Sequence, residues 1–129
     1  MQRGLPDTCF PQRQVIIAGN MLLFVYGTLQ SGRRNNFYLA KSMFQGHAKT
    51  LPEYTLSCTD DYPTLLEGGT TAVSGEVYDV LPHTLSQIDF FENVSSGLFT
   101  RRKVWLQEPF HDQMVHAYIF GALPSLLSE

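Results

Sequence analysis

FVYGTLQSGRRNN, residues 24–36, begins as an apolar strand and ends as a polar, basic loop. Its Gly27-x-x-x-x-Gly32 spacing is half of a phosphate-binding P-loop. A P-loop needs Lys and then Ser or Thr directly after the second glycine, to reach the terminal phosphates and to hold magnesium. Arg33 and Arg34 stand there instead, and an arginine has no lone pair to give a metal ion. The nucleotide reading fails. The loop keeps a physical content: a glycine just after an apolar strand lets exposed amide N–H groups approach a ligand closely.

Working outward, Met21 to Tyr26 is a nearly continuous apolar run, which predicts a strand buried on both faces. Beyond the loop, Leu39 and Met43 lie four apart, so Phe37 to Met43 is expected to form a short helix. Glu53 to Cys58 and Ala72 to Val80 read as strands, the second set off by Gly68-Gly69. In it Val73, Gly75, Val77 and Asp79 alternate with Ser74, Glu76, Tyr78 and Val80, so neither face is cleanly polar. Pro82 opens a predicted helix over residues 83–92 with Thr84 as its N-cap. Two more strands are expected, Lys103 to Gln107 and Met114 to Phe120, separated by Pro109. Many strands and two short helices predict an α+β fold, a small mixed β-sheet or barrel with short flanking helices.

The 129 residues are the length of one domain, and 43% hydrophobic content can supply its core. Residues 1–20 hold two prolines and few apolar side chains before Val15, so they read as a loosely ordered extension preceding a single domain over residues 21–129. Met21 stands where an alternative start would place the first strong strand. No long apolar core of a signal peptide and no run of transmembrane length occurs, so a soluble, cytoplasmic protein without membrane partners is expected. The net charge of −3 offers no global attraction for nucleic acid. The basic groups Arg33-Arg34 and Arg101-Arg102-Lys103 remain local anion contacts or solvated faces, the latter reading favoured for the second group.

Cys9 and Cys58 form no CxxC pair, which suits a reducing compartment. His47, His83, His111 and His116 are scattered without metal-ligand spacing, so no metal is expected. No GxSxG occurs, and neither cysteine lies in a nucleophile context.

LSQIDFFENV, residues 85–94, holds a carboxylate where an amphipathic helix would place leucine. At about 100° per residue, Leu85 and Ile88 define the inward stripe, and Glu92 falls between them. Burial raises the proton affinity of a carboxylate, which is what a general acid/base requires. Two other readings stand beside this one: the helix ends early and leaves Glu92 in water, or Glu92 pairs with Arg101 or Arg102. Asp89, on the shoulder of the same face, reads as a structural hydrogen-bonding group.

Taken in order, FVYGTLQSG, RRNNFYL, VSGEVYDV, LSQIDFFENVSSGLFTRRKV and AYIF resemble the γ-glutamylcyclotransferase-like superfamily, especially its short members that include γ-glutamylamine cyclotransferase. The stretches span most of residues 21–120. The resemblance implies a barrel-like mixed sheet enclosing a cavity for the γ-glutamyl part of a small-molecule substrate. It implies that Tyr26, Gly27, Thr28 and Leu29 form the binding loop and that Glu92 is the catalytic glutamate.

The implied reaction is intramolecular: the substrate's α-amine attacks its own γ-carbonyl, giving 5-oxoproline and a free amine or amino acid. Neither a protein nucleophile nor a cofactor is needed. Tyr26 and Tyr78 are candidates for the cavity wall or for plain packing. Arg33 and Arg34 are candidates for a substrate carboxylate or for solvated loop charge. Two positions depart from the family pattern, which often has Asn-His at Asn35-Asn36 and Tyr at Phe99. They favour the alternative, a non-catalytic binding module for a γ-glutamyl-like ligand.

Overall fold

The computed structural model describes residues 20–59, 62–92 and 98–121. Among them, β1 (Met21–Val25) is the middle strand of a five-stranded sheet. It lies antiparallel to β5 (Ser74–Val80) on one side and parallel to β7 (Val115–Phe120) on the other. The edges are β2 (Met43–Lys49), beside β5, and β6 (Phe99–Lys103), beside β7. A separate hairpin is made by β3 (Tyr54–Thr59) and β4 (Tyr62–Glu67). Among the described residues one α-helix, α1, runs Pro82–Phe91, and a 3₁₀ turn covers Asn36–Leu39. The α+β expectation, a small mixed sheet with short helices, holds.

The apolar run of β1 feeds two cores because successive side chains point to opposite faces. Leu22 and Phe24 join Tyr54, Leu65, Val77 and Ile119 on the hairpin side. Leu23 and Val25 join Tyr78, Leu85, Ile88 and Tyr118 on the helix side. The sheet is therefore covered on both faces. Gly75 permits the tight β1–β5 pairing, since an added Cβ would run into the Val25 carbonyl oxygen and the Phe24 ring.

Three local expectations are corrected, and two strands were not foreseen. Phe37 to Met43 is not one helix: the 3₁₀ turn ends at Leu39, and Met43 already begins β2, a strand the spacing did not predict. β4, with Pro63 at its second position, was equally unforeseen. The strand expected at Lys103 to Gln107 lies earlier, at Phe99–Lys103. The helix caps at Leu81 with Pro82 in its first turn, and Thr84 is a buried residue inside it.

The basic triplet is also no solvated face. Strand alternation sends Arg101 to Asp89 on one side and Arg102 to Glu67, 3.1 Å away, on the other. Lys103 lies over the Trp105 ring at 4.4 Å. The extension expected over residues 1–20 lies, apart from Asn20, outside the described residues, as do residues 93–97 of the Glu92 segment.

Candidate active site

The parallel strands β1 and β7 and helix α1 all end on the same side of the sheet. Their ends enclose a narrow cleft lined by Phe24 to Leu29 and by Pro63, Glu92 and Tyr118. The hairpin contributes Pro63 from one face of the sheet and the helix contributes Glu92 from the other. Every residue singled out for the site, Tyr26, Gly27, Thr28, Leu29 and Glu92, therefore meets at one place, although Glu92 is remote from the loop in sequence.

Within the loop it is the backbone that is offered. The Tyr26 hydroxyl donates to the Tyr118 carbonyl at 2.6 Å and accepts the Leu65 N–H at 3.3 Å. Asn35 Nδ2 donates to Thr28 Oγ1 at 2.8 Å, and the Leu29 side chain is buried in the helix-side core. Gly27 has no side chain to turn away; a Cβ there would stand 3.6 Å from Pro63, inside the cleft. Among the described residues, the amides of Gly27, Thr28 and Leu29 donate to no acceptor. That leaves three N–H dipoles for the oxygen atoms of a ligand.

The rest of the loop is anchored from below by Glu76, a buried residue of β5. Its Oε1 accepts from the Ser31 N–H at 2.8 Å and the Tyr78 hydroxyl at 3.1 Å; its Oε2 accepts from the Ser31 hydroxyl at 2.6 Å. Burial alone would push the Glu76 carboxyl up, but these hydrogen bonds outweigh it and hold the group below the usual carboxylate range. Asn36 Nδ2 completes the network, donating to the Leu29 carbonyl at 2.7 Å and to the Tyr78 hydroxyl at 3.4 Å. Tyr78 is thus a strut beneath the loop, and Arg33 and Arg34 are exposed at its tip.

Glu92 is the C-cap residue of α1. Its N–H donates to the Ile88 carbonyl at 2.8 Å. Leu85 and Ile88 are buried as their spacing predicts, and Glu92 is half-buried at the cleft wall. The helix does end just before Glu92, yet the side chain is not left in bulk water. The alternative pairing with Arg101 or Arg102 meets a competitor in each case, since Arg101 forks onto Asp89 and Arg102 pairs with Glu67. The structural role read for Asp89 is seen directly: it binds Arg101 and Tyr118.

Phe99 belongs to the helix-side core and meets the exposed Phe120 ring edge-on, with centroids 5.5 Å apart; it does not line the cleft. Its lack of a hydroxyl therefore gives no support to the binding-module alternative at this cleft. Tyr118 and Pro63 were missed as site residues. Nothing local marks them, because each reaches the cleft only through its strand's partner.

A family model described as "Gamma-glutamyl cyclotransferase, AIG2-like" matches residues 23–127. The chain belongs to this family. The γ-glutamylcyclotransferase resemblance of the YGTL, GEVY and Asp-x-x-Glu stretches is thereby established, and the family is one of enzymes. A Vibrio cholerae relative with the provisional name gamma-glutamylcyclotransferase is 41% identical over 97 residues, covering 75% of this chain and 81% of its own. Bos taurus gamma-glutamylaminecyclotransferase is 38% identical over 80 residues, 55% of this chain and 48% of its own, so this cyclotransferase-family chain matches about half of it. The crystal structure of a mouse AIG2-like protein superposes with a TM-score of 0.71 at 26% identity, covering 84% of this chain and 82% of that one.

Among the described residues no cluster of three or more His, Cys, Asp or Glu is placed to hold a metal ion, and no helix is long and apolar enough to cross a membrane.

Proposed function

We propose that this chain cleaves a γ-glutamyl amide or γ-glutamylamine by cyclisation, releasing 5-oxoproline and a free amine or amino acid, with Glu92 as general acid/base. The observation that carries the reading is that Glu92 and the Tyr26–Leu29 loop line one cleft. The α-amine of such a substrate is an ammonium ion at neutral pH and cannot attack. Glu92 takes its first proton, the freed nitrogen attacks the γ-carbonyl, and a five-membered ring closes through a tetrahedral intermediate. Collapse breaks the bond to the leaving nitrogen as Glu92 returns the proton there. The second proton, left on the ring nitrogen by the attack, passes through the same carboxylate to the departing amine, so the ring nitrogen ends with one hydrogen and the leaving nitrogen gains two.

The amides of Gly27, Thr28 and Leu29 serve the substrate carboxylate or the oxyanion that develops at the γ-carbon. Holding the chain bent, with amine and carbonyl in contact, supplies much of the remaining acceleration, because ring closure then needs no bimolecular encounter. Tyr118 and Pro63 close the walls against water.

The test is a panel of γ-glutamyl amino acids, γ-glutamyl-ε-lysine, glutathione and γ-glutamylated amines assayed for 5-oxoproline. At least one is expected to be turned over, and Glu92→Gln is expected to abolish that turnover while ligand binding persists. Retained turnover in Glu92→Gln removes the glutamate from the mechanism. Binding without product across the panel supports the binding-module alternative instead.

A further inference from the structure

Glu92 closes a helix that lacks its own means of ending firmly. The last turn of α1 carries no basic residue, and its cap residue is Glu92 itself rather than a glycine in a left-handed turn. The turn is held by tertiary contacts. Phe91 meets the Tyr38 ring at 4.8 Å, and Asp89 is bound on both carboxylate oxygens. Oδ1 accepts from Arg101 Nε at 2.8 Å and from the Tyr118 hydroxyl at 2.6 Å, and Oδ2 accepts from Arg101 Nη2 at 2.9 Å. Arg101 Nη1 in turn donates to Met21 Sδ at 3.2 Å. One side chain therefore ties α1 to β6 and β7, and through Arg101 to the start of β1.

Asp89 and Glu92 are three residues apart, neighbours on one helix face separated by about 4.5 Å of axial rise. Tyr118, the hydroxyl donor to Asp89, is also a wall of the cleft that Glu92 lines. Resting on the reading of Glu92 as the acid/base, we propose that Asp89 is a positioning residue: clamped by Arg101 and Tyr118, it fixes the last turn of α1 so that Glu92 stands against the 26–29 loop.

The clamp has an electrostatic side as well. A second carboxylate one turn from Glu92 would by itself raise the proton affinity of Glu92, and the Arg101 guanidinium cancels that charge. Burial alone would push the Asp89 carboxyl up, but the bonds from Arg101 and Tyr118 outweigh it and hold Asp89 ionised below the usual carboxylate range. With Asp89 made neutral, the guanidinium that Asp89 held one helical turn from Glu92 keeps its charge without a counter-charge, which favours the ionised glutamate.

The test compares Asp89→Asn and Arg101→Lys with the parent on the best panel substrate, measuring kcat, KM, the pH profile of kcat and the thermal midpoint. A loss of geometry of about 1 Å at a reacting group costs on the order of 100-fold. The expected result is a kcat lowered about 10- to 100-fold with KM within about threefold of the parent. In Asp89→Asn the acid limb of the profile should also move to lower pH. A purely structural role would lower the thermal midpoint and the active fraction and leave that limb where it was.

Arg101→Lys keeps the charge and loses the fork, so it reports on the clamp even where Asp89→Asn does not fold; its kcat should fall with KM held. The proposal is overturned if the folded variants keep the parent kcat, or lose it only in proportion to unfolding with an unmoved limb. Glu92→Gln, run alongside, separates the two readings. Turnover surviving in Glu92→Gln overturns the acid/base assignment, whereas a dead Glu92→Gln beside fully active clamp variants overturns the positioning role alone.

Discussion

The hydroxyl of Tyr26 donates to the main-chain carbonyl of Tyr118 at 2.6 Å, and it also accepts the Leu65 N–H. One phenol at the cleft floor thus joins the end of β1 to β7 and to the hairpin. Tyr26→Phe leaves that carbonyl and amide without their partner, at a cost of about 1–3 kcal/mol. The urea midpoint should fall with an unchanged slope. An unmoved midpoint would show that water replaces the hydroxyl without loss.

Gly27 faces Pro63 across the cleft with space for a methyl group, 3.6 Å from the proline ring, and its φ is not in the left-handed region. Gly27→Ala should therefore fold with stability within about 1 kcal/mol of the parent. The added methyl occupies ligand space, so KM for the panel substrate should rise about tenfold. Gly32, at φ 78°, is the glycine of this loop that needs its conformational freedom. A parental KM in Gly27→Ala would place the substrate elsewhere.

Gly75→Ala should be far more damaging. Its Cβ meets backbone as well as an aromatic ring, so β5 must move off β1. Overpacking of this kind costs about 1–3 kcal/mol or more, and the displaced strand carries Glu76, the anchor of the binding loop. Loss of stability and loss of activity are expected together, by thermal melt and 5-oxoproline assay. A variant as stable as the parent would contradict the tight β1–β5 contact.

Glu76 and Asp89 both hold carboxylates below their ordinary values of 4.5 and 3.8. A depressed native value means that the unfolded chain binds protons first as the solution is acidified. The stabilisation from both groups is therefore full above about pH 5 and fades as the pH falls through the ordinary range toward the native values. Stability measured from pH 6 to pH 3 should decline, and the decline should be shallower in Glu76→Gln, which starts less stable by about 1–3 kcal/mol. Equal slopes in the two proteins would remove Glu76 from the acid transition.

The sequence by itself determined what is local. A continuous apolar run made β1 a strand with two buried faces, Leu85 and Ile88 marked the inner stripe of α1, and the same periodicity aimed Glu92 inward. The order of the YGTL, GEVY and Asp-x-x-Glu stretches was enough to identify the family.

What only the tertiary structure decided are the pairings between distant residues. β2 shows Met43 and Phe44 to solvent and shifts register between Phe44 and Gly46, so it has no alternation to read. β4 carries a proline, and β6 reads FTRRK, a strand whose charges are tolerable only because Asp89 and Glu67 wait on its two faces. Ser31 finds Glu76, and Tyr118 reaches the cleft, by the same route. Strand pairing and ion pairing join groups far apart along the chain, and their energy comes from partners that no short window of sequence contains.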